Sequence, residues 1–346
     1  MVLVMKKLKV NVLYATRSKG HGVATAFEEM VRGLRARDDV RVTINSWRKS
    51  DIIHAHSPDP KSMFHLLFRR GKKLYTAHQV YGSMDGSIKG GKFVEKLFFW
   101  YVRHAFYNRV DQIVAVSAMS ARILQGPMKV KTPITTIYNT IDMAALGITP
   151  AKRQAARKKF GLTEKDFVVV GNGQMQPRKR IDTFANVARK LPNVKFIWVG
   201  GVPFGALGAD TGKMDKIIKD APDNVVWTGV VTLEVAREYL AAADVFWLPS
   251  DQENHPMSVL EAAGAGLPII LRDIPEYDDT FRGDSLMAGD DEGFAEIIQR
   301  LQTDDKYYKE AQIGTTKIAK RFDSQTGAEQ FVALYQKLLK NDKIDV

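Results

Sequence analysis

The chain of 346 residues contains no cysteine. Without cysteine there is no disulfide framework, no thiolate metal ligand and no thiol nucleophile, and this composition fits a reducing cytosol. The chain also lacks any run of about 18 apolar residues, the length that a membrane-spanning helix needs. The apolar start, MVLVMKK, is too short for a secretory signal and leads into a first strand, LKVNVLYA, so we expect no export.

The residues that are present indicate a folded protein with an uneven distribution of charge. Hydrophobic residues make up 45% and charged residues 26% of the chain, which excludes wholesale disorder, collagen and coiled coil. Residues 1–150 hold 24 Lys and Arg against 10 Asp and Glu, whereas the remainder holds 27 against 29. The basic half indicates a polyanionic partner, either nucleic acid or an anionic bilayer, with dispersed solubilising charge as the alternative.

Short β-rich runs alternate with helical stretches in both halves. The runs are LKVNVLYA, VRVTI, DIIHAH, KKLYTAH, QIVAVS and ITTIYN, then FVVVGNG, VKFIWVGG, VVWTGV, DVFWLPS and LPIIL. This alternation predicts the α/β class, with two doubly wound, mostly parallel sheets facing each other across a cleft. We predict an N-terminal domain over 1–148, a C-terminal domain over 149–330, and a C-terminal helix over 331–346 that can pack back on the N-terminal domain. The join falls in LGITPAKRQAARKKFGL, which is polar and carries no strand signal.

The segment DQENHPMSVLEAAGAGLPII combines two carboxylates with a helix start. Glu253 and Glu261 stand eight residues apart, the first in a loop and the second in a helix that begins near Pro256. The unpaired amides of Met257, Ser258 and Val259 at that start suit a diphosphate, and the carboxylates can accept hydrogen bonds from sugar hydroxyls. The alternative is an ordinary strand, loop and helix with solvated acids.

This segment resembles the E-x7-E motif of the retaining glycosyltransferases of family 4. Seven further stretches occur earlier in the chain, in the order in which the family has its other motifs: KGHGVA, YTAHQ, IYNTID, VVVGNGQMQPRKR, FIWVGG, WTGV and ADVFWLPS. Together they cover nearly the whole chain. The resemblance implies the GT-B fold of two Rossmann-like domains and transfer of a hexose from a UDP-sugar with retention of configuration. It implies neither a metal nor another cofactor.

The resemblance implies roles for the residues that match the family's motifs. Glu261 would hold the ribose hydroxyls, Glu253 the donor sugar, and His78 would lie near that sugar. Arg178 and Lys179 match the family's basic pair and would bind the diphosphate, stabilising the charge that develops on the leaving group. The other donor-binding positions that the resemblance implies are Gly20, Gly22, Gln174, Arg180, Gly200, Gly229, His255, Pro256, Met257 and Ser258.

One departure from the family pattern concerns the phosphate cations. Many relatives have Arg where this chain has Gln174, and Arg180 stands where Gly is usual, so Arg180 is a candidate replacement. We therefore expect Lys179 to matter more than a two-cation clamp. The alternative for QPRKR is a solvated turn before a helix, but its place directly after the strand FVVVGNG favours a binding site.

Metal ligands find little support in the sequence. There is no Asp-x-Asp pair of the kind that holds a cation on a nucleotide sugar. We expect His54 and His56, at the end of a strand, to project to opposite faces, so that they share no metal ion.

The basic half contains PKSMFHLLFRRGKK and, soon after, IKGGKFVEKLFFWYVRHAFYNR, and the second stretch mixes aromatic and cationic residues. Such a helix suits the headgroup region of an anionic membrane, at ~1 kcal/mol of attraction per Lys or Arg. The alternative is that the aromatics are core and the cations a solvated face, and the basic excess favours the membrane. The candidate membrane and acceptor residues are Lys89, Lys92, Phe93, Lys96, Leu97, Trp100, Tyr101 and Arg103. Because no RNP, helix-turn-helix or zinc signature is present, no nucleic-acid partner is expected.

The sequence therefore predicts a peripheral enzyme on the inner face of the plasma membrane. It would move galactose or glucose from UDP-galactose or UDP-glucose to a glycolipid such as glucosyl-diacylglycerol and form an α-linked product. Within the family, SKGHGVATAFEE and VGNGQ resemble bacterial enzymes that add a second α-hexose to glucosyl-diacylglycerol, as in lipoteichoic acid anchors. Two alternatives stay open: a soluble family 4 glycosyltransferase acting on protein or polysaccharide, and a non-catalytic nucleotide or nucleic-acid binder.

Overall fold

The computed structural model describes residues 7–15, 22–81, 91–202 and 211–341. These residues form two compact units. The first contains 7–15, 22–81, 92–142 and 322–341, and the second contains 143–202 and 211–321. The chain passes to the second unit after Asp142, earlier than the predicted boundary at 148, because the short helix that follows packs within the second unit. A Cβ at Gly264 would lie only 2.6 Å from the Cδ1 of Leu146.

The first unit contains a parallel sheet with helices on both faces. Its strands are β1 (Leu8–Leu13), β2 (Val40–Ile44), β3 (Ile52–Ala55), β4 (Lys72–Ala77), β5 (Gln112–Ala115) and β6 (Ile134–Thr136). Its helices are α1 (Gly22–Arg35), α2 (Pro60–Phe68), α3 (Gly91–Ala105) and α4 (Ala118–Gln125). The six described strands pair in the order β2-β1-β3-β4-β5-β6, all parallel.

Alternation along the strands divides the core of this unit between two faces of the sheet. Val10 and Val12 of β1 pack with Phe27 of α1, whereas Leu13 packs with Phe99 of α3 on the other face. Successive side chains of a strand point to opposite faces, so one strand serves both layers. The last helix, α13 (Ser324–Asn341), packs beside α1 in the first unit.

The second unit contains another parallel sheet. Its strands are β7 (Phe167–Asn172), β8 (Val194–Val199), β9 (Val225–Trp227), β10 (Val245–Leu248), β11 (Ile269–Arg272) and β12 (Leu286–Ala288). Its helices are α5 (Met143–Leu146), α6 (Pro150–Lys159), α7 (Ile181–Lys190), α8 (Thr211–Lys219), α9 (Leu233–Ala242), α10 (Met257–Gly264), α11 (Asp291–Thr303) and α12 (Asp305–Arg321). Among the described residues, the strands pair in the order β12-β11-β10-β7-β8-β9.

Large aromatic residues fill the core of the second unit. The ring of Phe184 on α7 lies 5.0 Å from that of Trp247 on β10 and 5.1 Å from that of Trp198 on β8. Phe294 of α11 closes the same group, with its ring 5.0 Å from Trp247. Strands β8 and β10 pair with β7 on either side, and those three strands carry the loops of the candidate site.

Both sheets confirm the predicted α/β class with two doubly wound domains. The sequence patterns found every described strand except β12, whose sequence LMA contains no β-branched or aromatic residue. Within the described parts of the chain, no helix combines the length and apolarity needed to cross a bilayer.

Candidate active site

The loops that follow β7 and β10 lie side by side at one edge of the second sheet. These strands are neighbours, with Val169 opposite Val245 and Val170 opposite Phe246. From β7 the chain runs outward through β8 and β9, and then returns to the other side of β7 as β10. This reversal of strand order is a topological switch point, and ligands of open α/β sheets bind at the carboxyl ends of the strands at such a point.

Two cations from the loop after β7 contact one carboxylate from the loop after β10. The Nζ of Lys179 donates to Oε1 of Glu253, and the Nη1 of Arg178 lies 3.4 Å from the same oxygen. Lys179 and Glu253 are both 7% exposed. The amide of Asp251 donates to the carbonyl of Arg178 at 3.0 Å, which joins the two loops through their backbones.

Burial and mutual attraction compete in this ion pair. For Glu253, burial favours the neutral acid, but the attraction of Lys179 and Arg178 outweighs it and leaves the pKa of the carboxyl below its ordinary value. For Lys179, burial outweighs the attraction of Glu253 and lowers the pKa of the ammonium. A carboxylate and two cations in a poorly solvated place can bind both the hydroxyls and the phosphates of a ligand.

Helix α10 begins beside this pair without a side-chain cap. Its N-cap, Pro256, makes no side-chain hydrogen bond to the first turn, which includes Met257 and Ser258. The prediction of an unpaired amide at Val259 is wrong, because that amide donates to the carbonyl of Pro256 at 3.2 Å. Backbone amides at such a start favour an anion. In the second turn, Glu261 is 4% exposed, and the Nδ2 of Asn172 at the end of β7 lies 3.5 Å from its Oε2. The ring of His255 is buried and stacks on Phe281, and burial lowers its pKa to about 3.

Glycines allow the backbones after β7, β8 and β9 to approach closely. A Cβ at Gly200 would lie 2.2 Å from the carbonyl oxygen of Gly173, and the φ of Gly200 is +132°. Gly200 also pairs with Gly229 in an isolated bridge. Because a side chain fits neither the space nor the backbone angle, glycine is required at position 200 for the three strand ends to meet.

The two departures from the family pattern take defined places beside the site. Gln174 accepts a hydrogen bond from Gln176 at 3.1 Å, and Gln176 in turn accepts one from the Nε of Arg178 at 3.1 Å. Arg180 has the left-handed φ of 53° that glycine prefers, and its guanidinium pairs with Asp182 at 3.0 Å. Its assignment as a phosphate cation stays a prediction.

At the strand ends of the first unit, the structure gathers three histidines. The rings of His54 and His56 lie 4.3 Å apart, and Nδ1 of His56 lies 3.0 Å from Nε2 of His78, one residue beyond β4. The expectation of opposite faces is wrong, because residues two apart on a strand share a face. No group of three His, Cys, Asp or Glu able to hold a metal occurs among residues 7–15, 22–81, 91–202 and 211–341.

Comparison with known proteins identifies the family. The family model described as glycosyl transferases group 1 matches residues 164–304, and the one described as glycosyltransferase family 4 matches residues 26–145. The chain is 32% identical to the alpha-galactosylglucosyldiacylglycerol synthase of Streptococcus pneumoniae, over 97% of this chain and 91% of that protein. The chain belongs to the family 4 glycosyltransferases. It is also 29% identical to the processive diacylglycerol alpha-glucosyltransferase of Acholeplasma laidlawii, over 83% and 86% of the two chains.

Solved structures support the fold of this glycosyltransferase. Anabaena HepE, in a complex with UDP and glucose, matches with a TM-score of 0.75 at 17% identity, over 95% of this chain and 99% of that one. The sucrose-phosphate synthase of Thermosynechococcus elongatus matches with a TM-score of 0.76 at 16% identity, over 97% and 100%. At these identities the likeness shows the fold alone.

On α3 of the glycosyltransferase, part of the predicted aromatic set faces outward. Phe93 is 76% exposed, Leu97 59% and Trp100 60%, and Tyr101 is exposed to a lesser degree. The core positions of the helix are instead Phe99, Val102 and the following Phe106. Lys96 is exposed and Arg103 half-buried. Gly20 and Lys89 lie outside the described residues, as does the side chain of Lys92, whereas Gly22 is exposed at the start of α1.

A second exposed aromatic group consists of Trp47 and two residues of α2 that lie in the basic stretch PKSMFHLLFRRGKK. Phe68 is 68% exposed, Trp47 54% and Phe64 44%, and the ring of Phe64 lies 5.4 Å from Trp47 and 4.7 Å from Phe68. The sequence signal is FHLLF followed by RRGKK, an apolar helix end beside cations.

Proposed function

We propose that this glycosyltransferase transfers a hexose from a UDP-sugar to a membrane glycolipid such as glucosyl-diacylglycerol, with retention at the sugar. The observation that carries the proposal is the buried contact of Lys179 and Arg178 with Glu253, beside the uncapped start of α10. It supplies two cations and free amides for a diphosphate, and a carboxylate for hydroxyl groups, at the switch point of the second sheet.

Each part of the donor is assigned to the group that suits it chemically. The diphosphate is held by Lys179, Arg178 and the first amides of α10, because cations and helix starts both favour anions. Glu253 accepts hydrogen bonds from the sugar, and Glu261 accepts them from the ribose. His78 is assigned a contact with the transferred sugar on the resemblance of its place to the family pattern. UDP as the nucleotide is consistent with HepE, whose solved complex contains UDP and glucose.

The reaction is a substitution at the anomeric carbon on the face of the leaving group. The bond from that carbon to the diphosphate oxygen breaks, the bond to the acceptor oxygen forms, and the acceptor's proton passes to the leaving diphosphate. Lys179 and Arg178 stabilise the negative charge that grows on the diphosphate, and the protein otherwise contributes positioning.

A lipid acceptor is supported by the outer face of α3. Phe93, Leu97 and Trp100 recur at spacings of four and three residues, so they form one exposed stripe along the helix. Together with the basic excess of the first 150 residues, this stripe suits the interface of an anionic bilayer. Two of the similar proteins are named for the synthesis of glycosylated diacylglycerols. We therefore place the enzyme on the inner face of the plasma membrane.

The test offers UDP-glucose and UDP-galactose side by side to the purified chain with glucosyl-diacylglycerol in mixed micelles. The expected product is an α-linked diglycosyl-diacylglycerol, identified by mass spectrometry and NMR of the new linkage. Parallel reactions with a soluble polysaccharide and an unfolded protein test the alternative acceptors. Equal turnover on those acceptors without lipid would overturn the lipid proposal, and absence of turnover with either donor would overturn the hexosyltransferase proposal.

A further inference from the structure

His56 is a buried residue that the proposed reaction leaves without a role. It follows β3 by one residue, is 4% exposed, and its Nδ1 lies 3.0 Å from the Nε2 of His78. Its own Nε2 is buried and has no hydrogen-bond partner among the described residues. The contact with His78 is therefore the hydrogen bond in which the ring of His56 takes part.

The surroundings of His56 fix its ring but offer it no second polar partner. The ring of Phe27 meets it edge-on at 5.4 Å, and the ring of His54 lies 4.3 Å away. Both nitrogens of His54 are already engaged, one with Tyr335 at 2.8 Å and the other with Thr76 at 2.7 Å. His54 therefore packs against His56 and does not bond to it.

The direction of the bond between His56 and His78 follows from counting protons. Burial lowers the pKa of His78 to about 4 and that of His56 well below its ordinary value, so both rings are neutral at pH 7. A neutral imidazole carries one N–H, so in the hydrogen bond between the two rings one ring is the donor and the other the acceptor.

The two possible directions differ in what they leave buried. If Nε2 of His78 donated, the proton of His56 would have to lie on its Nε2, as a buried N–H without an acceptor. If Nδ1 of His56 donates, its Nε2 is a bare lone pair. In folded proteins a buried N–H without an acceptor is rarer than a buried acceptor without a donor, because the unpaired N–H loses its hydrogen bond to water. The second direction is therefore favoured.

We propose that His56 is a positioning residue for His78: it donates Nδ1–H to Nε2 of His78 and thereby holds the proton of His78 on Nδ1. In this arrangement the Nε2 of His78 is occupied as the acceptor of this bond, and the N–H of its ring lies on Nδ1. What His78 contacts rests on the proposed function, but the state of its ring does not.

The test is 15N NMR of the full chain with ring-labelled histidine at pH 7, without substrate. The signals of His78 are assigned from the spectrum of H78N. The expected result is a protonated Nδ1 and an unprotonated Nε2 on His78. A proton on Nε2 of His78 in the unsubstituted protein would overturn the proposal without the need for any variant.

Three variants test whether the hydrogen bond from His56 to His78 affects activity. H56N keeps an N–H near the place of Nδ1 and is expected to preserve the tautomer of His78 and kcat within about threefold. H56L cannot donate and is expected to move the proton of His78. We expect kcat to fall by about 10- to 100-fold, the range typical of groups that orient metal-ligating histidines, with KM for the donor nearly unchanged. H65L removes another fully buried histidine of the first unit and is the control for lost packing.

The outcomes separate this proposal from the proposed function. Equal losses of kcat in H56L and H65L with an unchanged tautomer would show that His56 only packs, and would overturn the proposal. Full activity of H56L with a moved proton would overturn the positioning role while leaving the transferase intact. The expected tautomer in a chain that transfers no hexose would support the assignment of the bond and refute the proposed function.

Discussion

Lys179 and Glu253, 74 residues apart in the chain, form an ion pair in which the side chains are 8% and 7% exposed. The pair joins the loop after β7 to the loop after β10, and Arg178 contacts the same carboxylate. Because the carboxylate is buried, the attraction of both cations favours its ionised form, and under the proposed function the same cations bind the diphosphate.

Replacing Lys179 by Ala is expected to lower kcat by about 10²- to 10³-fold, because a cation that stabilises the leaving diphosphate is lost. It also leaves a buried carboxylate with only Arg178, so the free energy of unfolding should fall by up to about 3 kcal/mol. The double variant K179M/E253Q removes both charges and should recover stability but not activity. Steady-state kinetics and urea unfolding of the three proteins check this, and full activity of K179A would remove Lys179 from the mechanism.

Replacing Gly200 by Ala is expected to destabilise the second unit by about 2 kcal/mol or more and to lower activity, because the new Cβ would meet the carbonyl of Gly173. Gly212 provides the control: it lies in α8, and a Cβ there has nothing within 4 Å. G212A should therefore be as stable as the unsubstituted chain or slightly more so. Urea unfolding measures both. Equal stability of G200A and G212A would mean that the strand ends tolerate a side chain.

Replacing Phe93, Leu97 and Trp100 together by Ser is expected to weaken binding to vesicles containing anionic lipid by about 100-fold, at roughly 1 kcal/mol for each partly inserted side chain. Stability should change little, because all three are exposed in the protein. The control, V226S/I313S, replaces exposed apolar residues of the second unit and should leave vesicle binding unchanged. Sedimentation with vesicles measures binding. Unweakened sedimentation of the triple variant would exclude this stripe as the membrane contact.

Stability should depend on pH through buried neutral histidines such as His54, whose pKa burial lowers to about 3. A group whose pKa is lower in the folded state than in the unfolded state stabilises the fold at pH values above its unfolded-state pKa. That stabilisation is lost as the pH falls toward the folded-state pKa. As the pH falls from 7 to 5, the titration of His54 should lower the free energy of unfolding by about 2 kcal/mol. H54Q does not titrate, so its loss over this interval should be smaller by that amount. Hydrogen exchange of the β3 amides at both pH values measures the difference, with H104Q, at an exposed position, as the control.

The arrangement of motifs in sequence allowed the fold to be predicted, and with it the loops that carry the candidate site. Strands and crossovers are encoded locally, by runs of β-branched residues and helical spacing, and the carboxyl ends of parallel strands meet at one edge whatever the details of packing. The loops that hold Lys179 and Glu253 were therefore predictable as neighbours. Strand β12 was not predicted, because its sequence LMA lacks the β-branched and aromatic residues that mark the equally short β6 and β9.

What the sequence by itself determined is thus the α/β class, the two sheets and the set of strand-end residues at the candidate site. Only the tertiary structure decided which faces are buried and which polar groups pair. Helix α3 carries aromatics on more than one face, so its spacing could not tell Phe99, which is core, from Trp100, which is exposed. The bonds of Lys179 to Glu253 and of His56 to His78 join residues 74 and 22 positions apart. Burial and long-range contacts are properties of the packed chain, and local sequence does not encode them.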